Sequence, residues 1–229
     1  MKLVVTCPMY WPTTKDAHDK AWLYLASAEK AGVAPEQLKP YGIGSAFYPG
    51  TATMRIYDQV QALDRFDEMG FTHALFSDAW DMLFVQPLEV LVDKYRSLGS
   101  PPMLTGASPL KCGFGDVHEP ELYEDLFDLT KPFPFPTFFH ISEIRHVRDQ
   151  LKKIPKGAHN ESYVLVEALR NGMEFVIDHG CEIFQECGVH HGGEGTGMVM
   201  KDRMVYNEIT GSNPCMVHFG GGHVDPDTG

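Results

Sequence analysis

An α/β fold with a largely parallel sheet is the architecture this sequence predicts, and three observations carry the prediction. Over residues 3–108, strand-length segments alternate with helical ones in the order β, α, β, α, β, α, β. The runs LVVTCPM (3–9) and THALFS (72–77) are short and apolar, as buried strands are. A chain of 229 residues, 43% hydrophobic and 22% charged, can bury one sizeable core. A single domain over residues 1–229 is therefore expected.

The elements follow in order. LVVTCPM is the first strand, and a helical stretch runs from about Asp16 to a stop at Gly32, with Trp22, Leu23, Leu25, Ala26 and Ala28 as its apolar face. LKPYGIG (38–44) is a weaker strand signal. TATMRIYDQVQALDRFDEMG (51–70) is the clearest helix: Met54, Tyr57, Val60, Leu63 and Phe66 recur at three-residue intervals, and Gly70 closes it. THALFS precedes the corner DAWD and the return strand MLFVQ. PLEVLVDKYRSLG (87–99) opens on a proline suited to a first helical turn and turns Leu88, Leu91, Val92, Tyr95 and Leu98 inward, before the strand PPMLTGAS (101–108).

Beyond residue 108 the pattern loosens. Residues 109–136 hold a cluster of acids and then PFPFP, expected as an insertion or lid. FFHI (138–141) reads as a strand, SEIRHVRDQLKKI (142–154) as amphipathic and HNESYVLVEALRNG (159–172) as a helix. MEFVID (173–178), EIFQE (182–186) and CMVHF (215–219) read as strands, with a hairpin around 198–207. HHGGEGTG (190–197) is a glycine-rich turn; its adjacent histidines would face opposite ways in a strand, which argues against a metal site there.

Composition narrows the function. A net charge of −12 disfavours a surface made for the phosphate backbone of duplex DNA. The five cysteines are scattered without a CxxC pair, as expected of reduced thiols rather than a disulfide framework or structural zinc. No run is long and apolar enough to span a membrane, and MKLVVTCPMYWP does not read as a signal peptide. The expected setting is cytoplasmic, in a bacterium or a phage-infected host cell.

The chemistry concentrates at DAWD. In an open α/β sheet, ligands sit beyond the carboxyl ends of the strands, where Asp78 and Asp81 fall. Two acids flanking a tight turn can face one point and suit Mn²⁺ or Mg²⁺ that also binds phosphate oxygens. The plainer reading is that Asp78 caps the turn and Asp81 is solvated. Trp80 between them is a flat surface for a base or simple packing.

Several segments, in order, resemble the glycosyltransferase domain of procollagen lysyl hydroxylases: LVVT, GTATMRIYDQVQAL, ALFSDAWDMLFVQPLEVLVDKY, FFHISEIRHVRDQL, NESYVL, IDHGCEIFQE and NPCMVHFGGG. The resemblance implies a GT-A fold, a mixed central sheet flanked by helices. It implies Asp78, Asp81 and His218 as ligands of Mn²⁺ (or Mg²⁺) carrying a nucleoside-diphosphate sugar, a UDP-sugar by the same likeness. It further implies Thr6, Arg55, Trp80 and Gly220 at the donor, and Glu161 and Asp178 as the catalytic candidates, with Gln185 near the acceptor. For Glu161, Asp178 and Gln185 a structural part is equally open. The family's Asn-Ser-Gly-Gly is replaced by His140-Ile141-Ser142-Glu143, and its acidic run is reduced to Asn160-Glu161.

The expected activity is transfer of a sugar to an acceptor hydroxyl, on a hydroxymethylated DNA base, a protein or a glycan. Two alternatives stand beside it: a non-catalytic sugar-nucleotide or glycan-binding module, and a metal-dependent phosphohydrolase. The latter class places its acid pair one residue apart after the first strand, unlike the pair here.

Overall fold

The computed structural model describes residues 1–44, 52–108, 133–134, 139–153, 171–187 and 197–219. The expected lid (but for Phe133 and Pro134), the helix at 159–170 and most of the glycine-rich turn lie outside them. Five helices are described: α1 (Thr14–Lys20), α2 (Trp22–Lys30), α3 (Ala52–Glu68), α4 (Leu88–Ser97) and α5 (Ile144–Leu151). The strands are β1 (Leu3–Thr6), β2 (His73–Phe76), β3 (Met82–Phe84), β4 (Met103–Ser108), β5 (Phe133–Pro134), β6 (His140–Glu143), β7 (Val176–Asp178), β8 (Phe184–Glu186), β9 (Met198–Lys201), β10 (Met204–Asn207) and β11 (Met216–His218).

The main sheet runs β1-β2-β6-β4, and β4 also pairs with β7 at Leu104–Gly106 and with β5 at Ala107–Ser108. β1 and β2 are parallel, as are β4 and β7, but β6 lies antiparallel between β2 and β4. The sheet is thus mixed rather than parallel, because β6 enters it antiparallel, and β3 does not return to it. β3 pairs instead with β11, which pairs with β8, in a second three-stranded sheet. LKPYGIG forms no described strand; Leu38 and Tyr41 make only isolated parallel bridges to Val5 and Pro8.

Strand parity splits the core between the two faces of the main sheet. Leu3, Val5 and Leu75 join Tyr24, Leu91 and Tyr95 on one face. Val4, Ala74 and Phe76 join Leu63, Phe66 and Val147 on the other, under α3 and α5. Helical periodicity located α3, although Gln59 and Ala62 take buried places and Tyr57 is exposed.

The first helical stretch departs further. It breaks at Ala21 (φ −95°, ψ 14°), and this turns Trp22 out to 63% exposure while Tyr24 and Ala28 go in. Gly106 in β4 is required by packing: a Cβ there would collide with the Phe139 ring and the Phe184 Cβ.

Candidate functional site

The corner between β2 and β3 is tied by its own hydrogen bonds. The Ser77 N–H donates to the Thr6 carbonyl at the end of β1 (3.1 Å), carrying the chain past the sheet edge. The Asp78 Oδ1 then accepts from the Trp80 N–H at 2.9 Å, and the Asp78 carbonyl accepts from the Met82 N–H at 3.3 Å. Asp78 therefore shapes the turn, as short acidic side chains do when they bond the backbone two residues on.

Asp81 behaves differently. It is the last residue before β3, and register places Met82 opposite His218, the final residue of β11. The Phe219 N–H donates to the Asp81 carbonyl at 2.9 Å and closes the pairing. The two side chains meet there, His218 Nε2 lying 3.1 Å from Asp81 Oδ1. Close as it is, this approach lacks hydrogen-bond alignment, and among the described residues no donor is directed at the buried Asp81 Oδ1. The Phe139 ring packs on the His218 imidazole at 5.2 Å and walls the pair from one side.

From the sequence, Asp78, Asp81 and His218 are expected as one ligand set. The structure brings Asp81 and His218 together and commits one Asp78 oxygen to the turn. Among the described residues, no three His, Cys, Asp or Glu side chains converge as a metal-holding group.

Trp80 is 51% exposed and stacks on Trp11, ring centroids 5.8 Å apart at 24°. Trp11 belongs to no sequence motif. Its only sequence cue is a place a few residues beyond the first strand, where the chain leaves the ligand end of the sheet.

Other expected site residues are otherwise employed. Thr6 is buried, with its hydroxyl donating to the Lys39 carbonyl at 2.7 Å, so its side chain serves the loop after α2. Asp178 is 3% exposed and accepts three backbone N–H groups: Glu182 on Oδ1 (2.9 Å), and Ile183 (2.7 Å) and Phe184 (2.9 Å) on Oδ2. The carboxylate anchors the 178–184 loop, the structural part that the sequence leaves open for it beside a catalytic one. Gln185 is buried and accepts from Asn207 Nδ2 at 2.5 Å, a structural contact between β8 and β10. Arg55 lies in the first turn of α3. Glu161 and Gly220 lie outside the described residues.

His140, standing where the resembled family has Asn, is also turned away from any acceptor. It is fully buried, tilted over Phe76 at 4.7 Å, with Gln59 Nε2 3.3 Å from its Nε2. Burial pushes its pKa down from 6.5 to about 3, so the folded protein holds it neutral. In acid, protons then bind the unfolded chain's imidazole but not the folded one. The stability due to His140 is whole above about pH 6.5 and drains as pH falls toward about 3, at up to about 1.4 kcal/mol per pH unit. Urea unfolding from pH 7 to 4.5 should show this slope, and His140→Gln should flatten it. An unchanged slope in that variant would place the acid sensitivity elsewhere.

The four described cysteines, Cys7, Cys181, Cys187 and Cys215, are buried and outside any disulfide. Among the described residues, no helix is long and apolar enough to cross a membrane.

No family model matches the chain, and no curated protein matches it. Among solved structures it is similar to a glycosyltransferase involved in the glycosylation of the major capsid of PBCV-1. The likeness covers 96% of this chain and 94% of that one, with a TM-score of 0.56 and 8% sequence identity. At that identity the likeness shows the fold alone: a mixed α/β, GT-A-like architecture. It does not reach the narrower resemblance to procollagen lysyl hydroxylases.

Proposed function

We propose that this chain is a glycosyltransferase that moves a sugar from a nucleoside-diphosphate sugar to an acceptor hydroxyl, with Asp81 and His218 as its protein ligands for Mn²⁺ or Mg²⁺. The observation that carries the reading is the Asp81 Oδ1, buried without a hydrogen-bond donor and 3.1 Å from an imidazole nitrogen. A buried carboxylate oxygen without a donor is costly unless something else neutralises it. A divalent cation does so, and one carboxylate with one imidazole suits Mn²⁺.

Two protein donors are few for a structural metal. They are enough for an ion that arrives with its substrate, since such cations are commonly held by one or two carboxylates plus substrate phosphates. Held by Asp81 and His218, such a cation would supply positive charge to offset the charge that builds on the departing diphosphate. The chain's own groups do the rest. Asp81 and His218 fix where the diphosphate sits, and Phe139 keeps water from one side of the imidazole. Trp80, backed by Trp11, offers its exposed surface to the base. The acceptor oxygen bonds to the anomeric carbon as the bond from that carbon to the diphosphate oxygen breaks, and the hydroxyl proton passes to a base. With Asp178 occupied by backbone donors, Glu161 is the remaining candidate for that base or for orienting the sugar.

In this reading the donor is a UDP-sugar. The charge of −12 favours a glycan or protein hydroxyl over duplex DNA as acceptor. A panel of nucleotide sugars with Mn²⁺, followed for nucleotide release with and without EDTA, tests this. Release from one donor that EDTA abolishes is the expected result. Absence of both release and thermal shift with every donor would overturn it.

A further inference from the structure

The corner that carries Asp81 is held at both ends by one helix. On α2, Tyr24 and Ser27 lie three residues apart and share a face. The Tyr24 hydroxyl is 2.6 Å from Ser77 Oγ, and Ser77 Oγ in turn donates to the Thr6 carbonyl at 3.4 Å. With Ser77 donating onward, Tyr24 is the donor to Ser77, the residue that leads into Asp78. One turn later, Ser27 Oγ accepts the Phe84 N–H at 3.1 Å while donating to the Tyr24 carbonyl at 2.8 Å. Phe84 closes β3, whose other edge pairs with β11 and sets Met82 against His218. The Tyr24 ring lies 5.9 Å from that of Phe84, so one side chain touches both arms.

We propose that Tyr24 and Ser27 are positioning residues that set the distance between Asp81 and His218, a role that rests on the cation reading above. Stability alone explains the arrangement poorly. Tyr24 is 1% exposed and Ser77 fully buried, and an apolar pair of similar shape in their place would be close to neutral. What a directional chain adds, and apolar packing does not, is register along the β2–β3 corner. A shift of β3 against β11 would carry Asp81 away from His218, because the two are joined through that ladder.

The test uses Tyr24→Phe and Ser27→Ala, with Ser27→Thr as the conservative rescue. The ¹⁵N resonances of the His218 imidazole, recorded without metal, read the Asp81 contact directly. Mn²⁺ affinity, followed by the EPR signal of the free ion, reads its consequence. Both loss variants should move the imidazole resonances and weaken Mn²⁺ by about tenfold, the scale of an outer-shell loss. Ser27→Thr should restore both. Unchanged resonances and affinity in the folded variants, even with a lowered Tm, would overturn the inference and leave α2 as packing alone. Absence of Mn²⁺ binding by the unsubstituted protein would instead overturn the cation reading, while the imidazole resonances still decide whether α2 sets the contact.

Discussion

Asp178→Ala is expected to destabilise the protein by about 4 kcal/mol, from the loss of one acceptor that serves three backbone donors. The N–H groups of Ile183 and Phe184 are in buried residues, so water does not replace the lost oxygen without opening the loop. The anchored segment leads straight into β8, whose Phe184 and Glu186 pair with Met216 and His218 of β11. The damage should therefore spread to the Asp81–His218 contact, although Asp178 never touches it. Asp178→Asn should fall between, since its amide keeps one acceptor oxygen and presents an NH₂ where an oxygen stood.

The pH dependence has a definite sign. Burial raises the Asp178 pKa above 3.8 despite the three donors. The folded state thus takes up the proton first as pH falls, and the cost of holding the bare charge is present in full only above the raised value. Between that value and 3.8 the wild type recovers stability through Asp178, against the loss due to His140. Urea midpoints for wild type and both variants at pH 7 and pH 4.5 check this. An Asp178→Ala protein as stable as wild type would show that the loop needs no anchor.

Much of the fold was legible in local pattern, and what was not depends on contacts distant in sequence. Periodicity finds α3 and α4 because their inward residues are Leu, Phe and Tyr at helical spacing. It misplaces the face of α2 because a tyrosine bonded to a serine 53 residues away goes inside, and Trp22 gives way. The direction of β6 is invisible in the four residues HISE. A strand so short carries no sign of its partners, and the antiparallel insertion follows from where the chain goes after β4. At the site, Asp81 and His218 were legible as residues that wanted a partner. The division of labour between Asp78 and Asp81 was not, for both are acids in one turn. Only the backbone decides that Asp78 Oδ1 meets the Trp80 N–H while Asp81 faces the imidazole. Asp178, an acid after an apolar strand, looks catalytic for the same reason; the N–H groups it holds lie four to six residues on, in a loop whose shape local pattern does not encode.

Asp81→Asn is expected to lose metal-dependent nucleotide release by about 100-fold or more, yet to unfold at the same or a higher temperature than wild type. The two halves of this expectation have one cause. In the folded chain Asp81 Oδ1 is buried with no aligned hydrogen-bond donor among the described residues, so holding that oxygen there costs the fold. An asparagine presents an amide N–H within reach of His218 Nε2, 3.1 Å from the present oxygen, and turns a poor contact into a hydrogen bond. The same change removes the negative charge that would hold the cation. A residue kept at a cost to stability is the pattern expected of a functional group, and gain in Tm with loss of activity is its measurable form. Asp78→Asn is the informative control. Its amide oxygen still accepts from the Trp80 N–H, so the corner should stand, and any loss of release would then measure the share of charge that Asp78 contributes. Thermal melts and EDTA-sensitive release are measured on the same preparations. A destabilised Asp81→Asn would mean that the carboxylate belongs to the fold. Full release by a stable Asp81→Asn would remove Asp81 from the reaction and the cation from between it and His218.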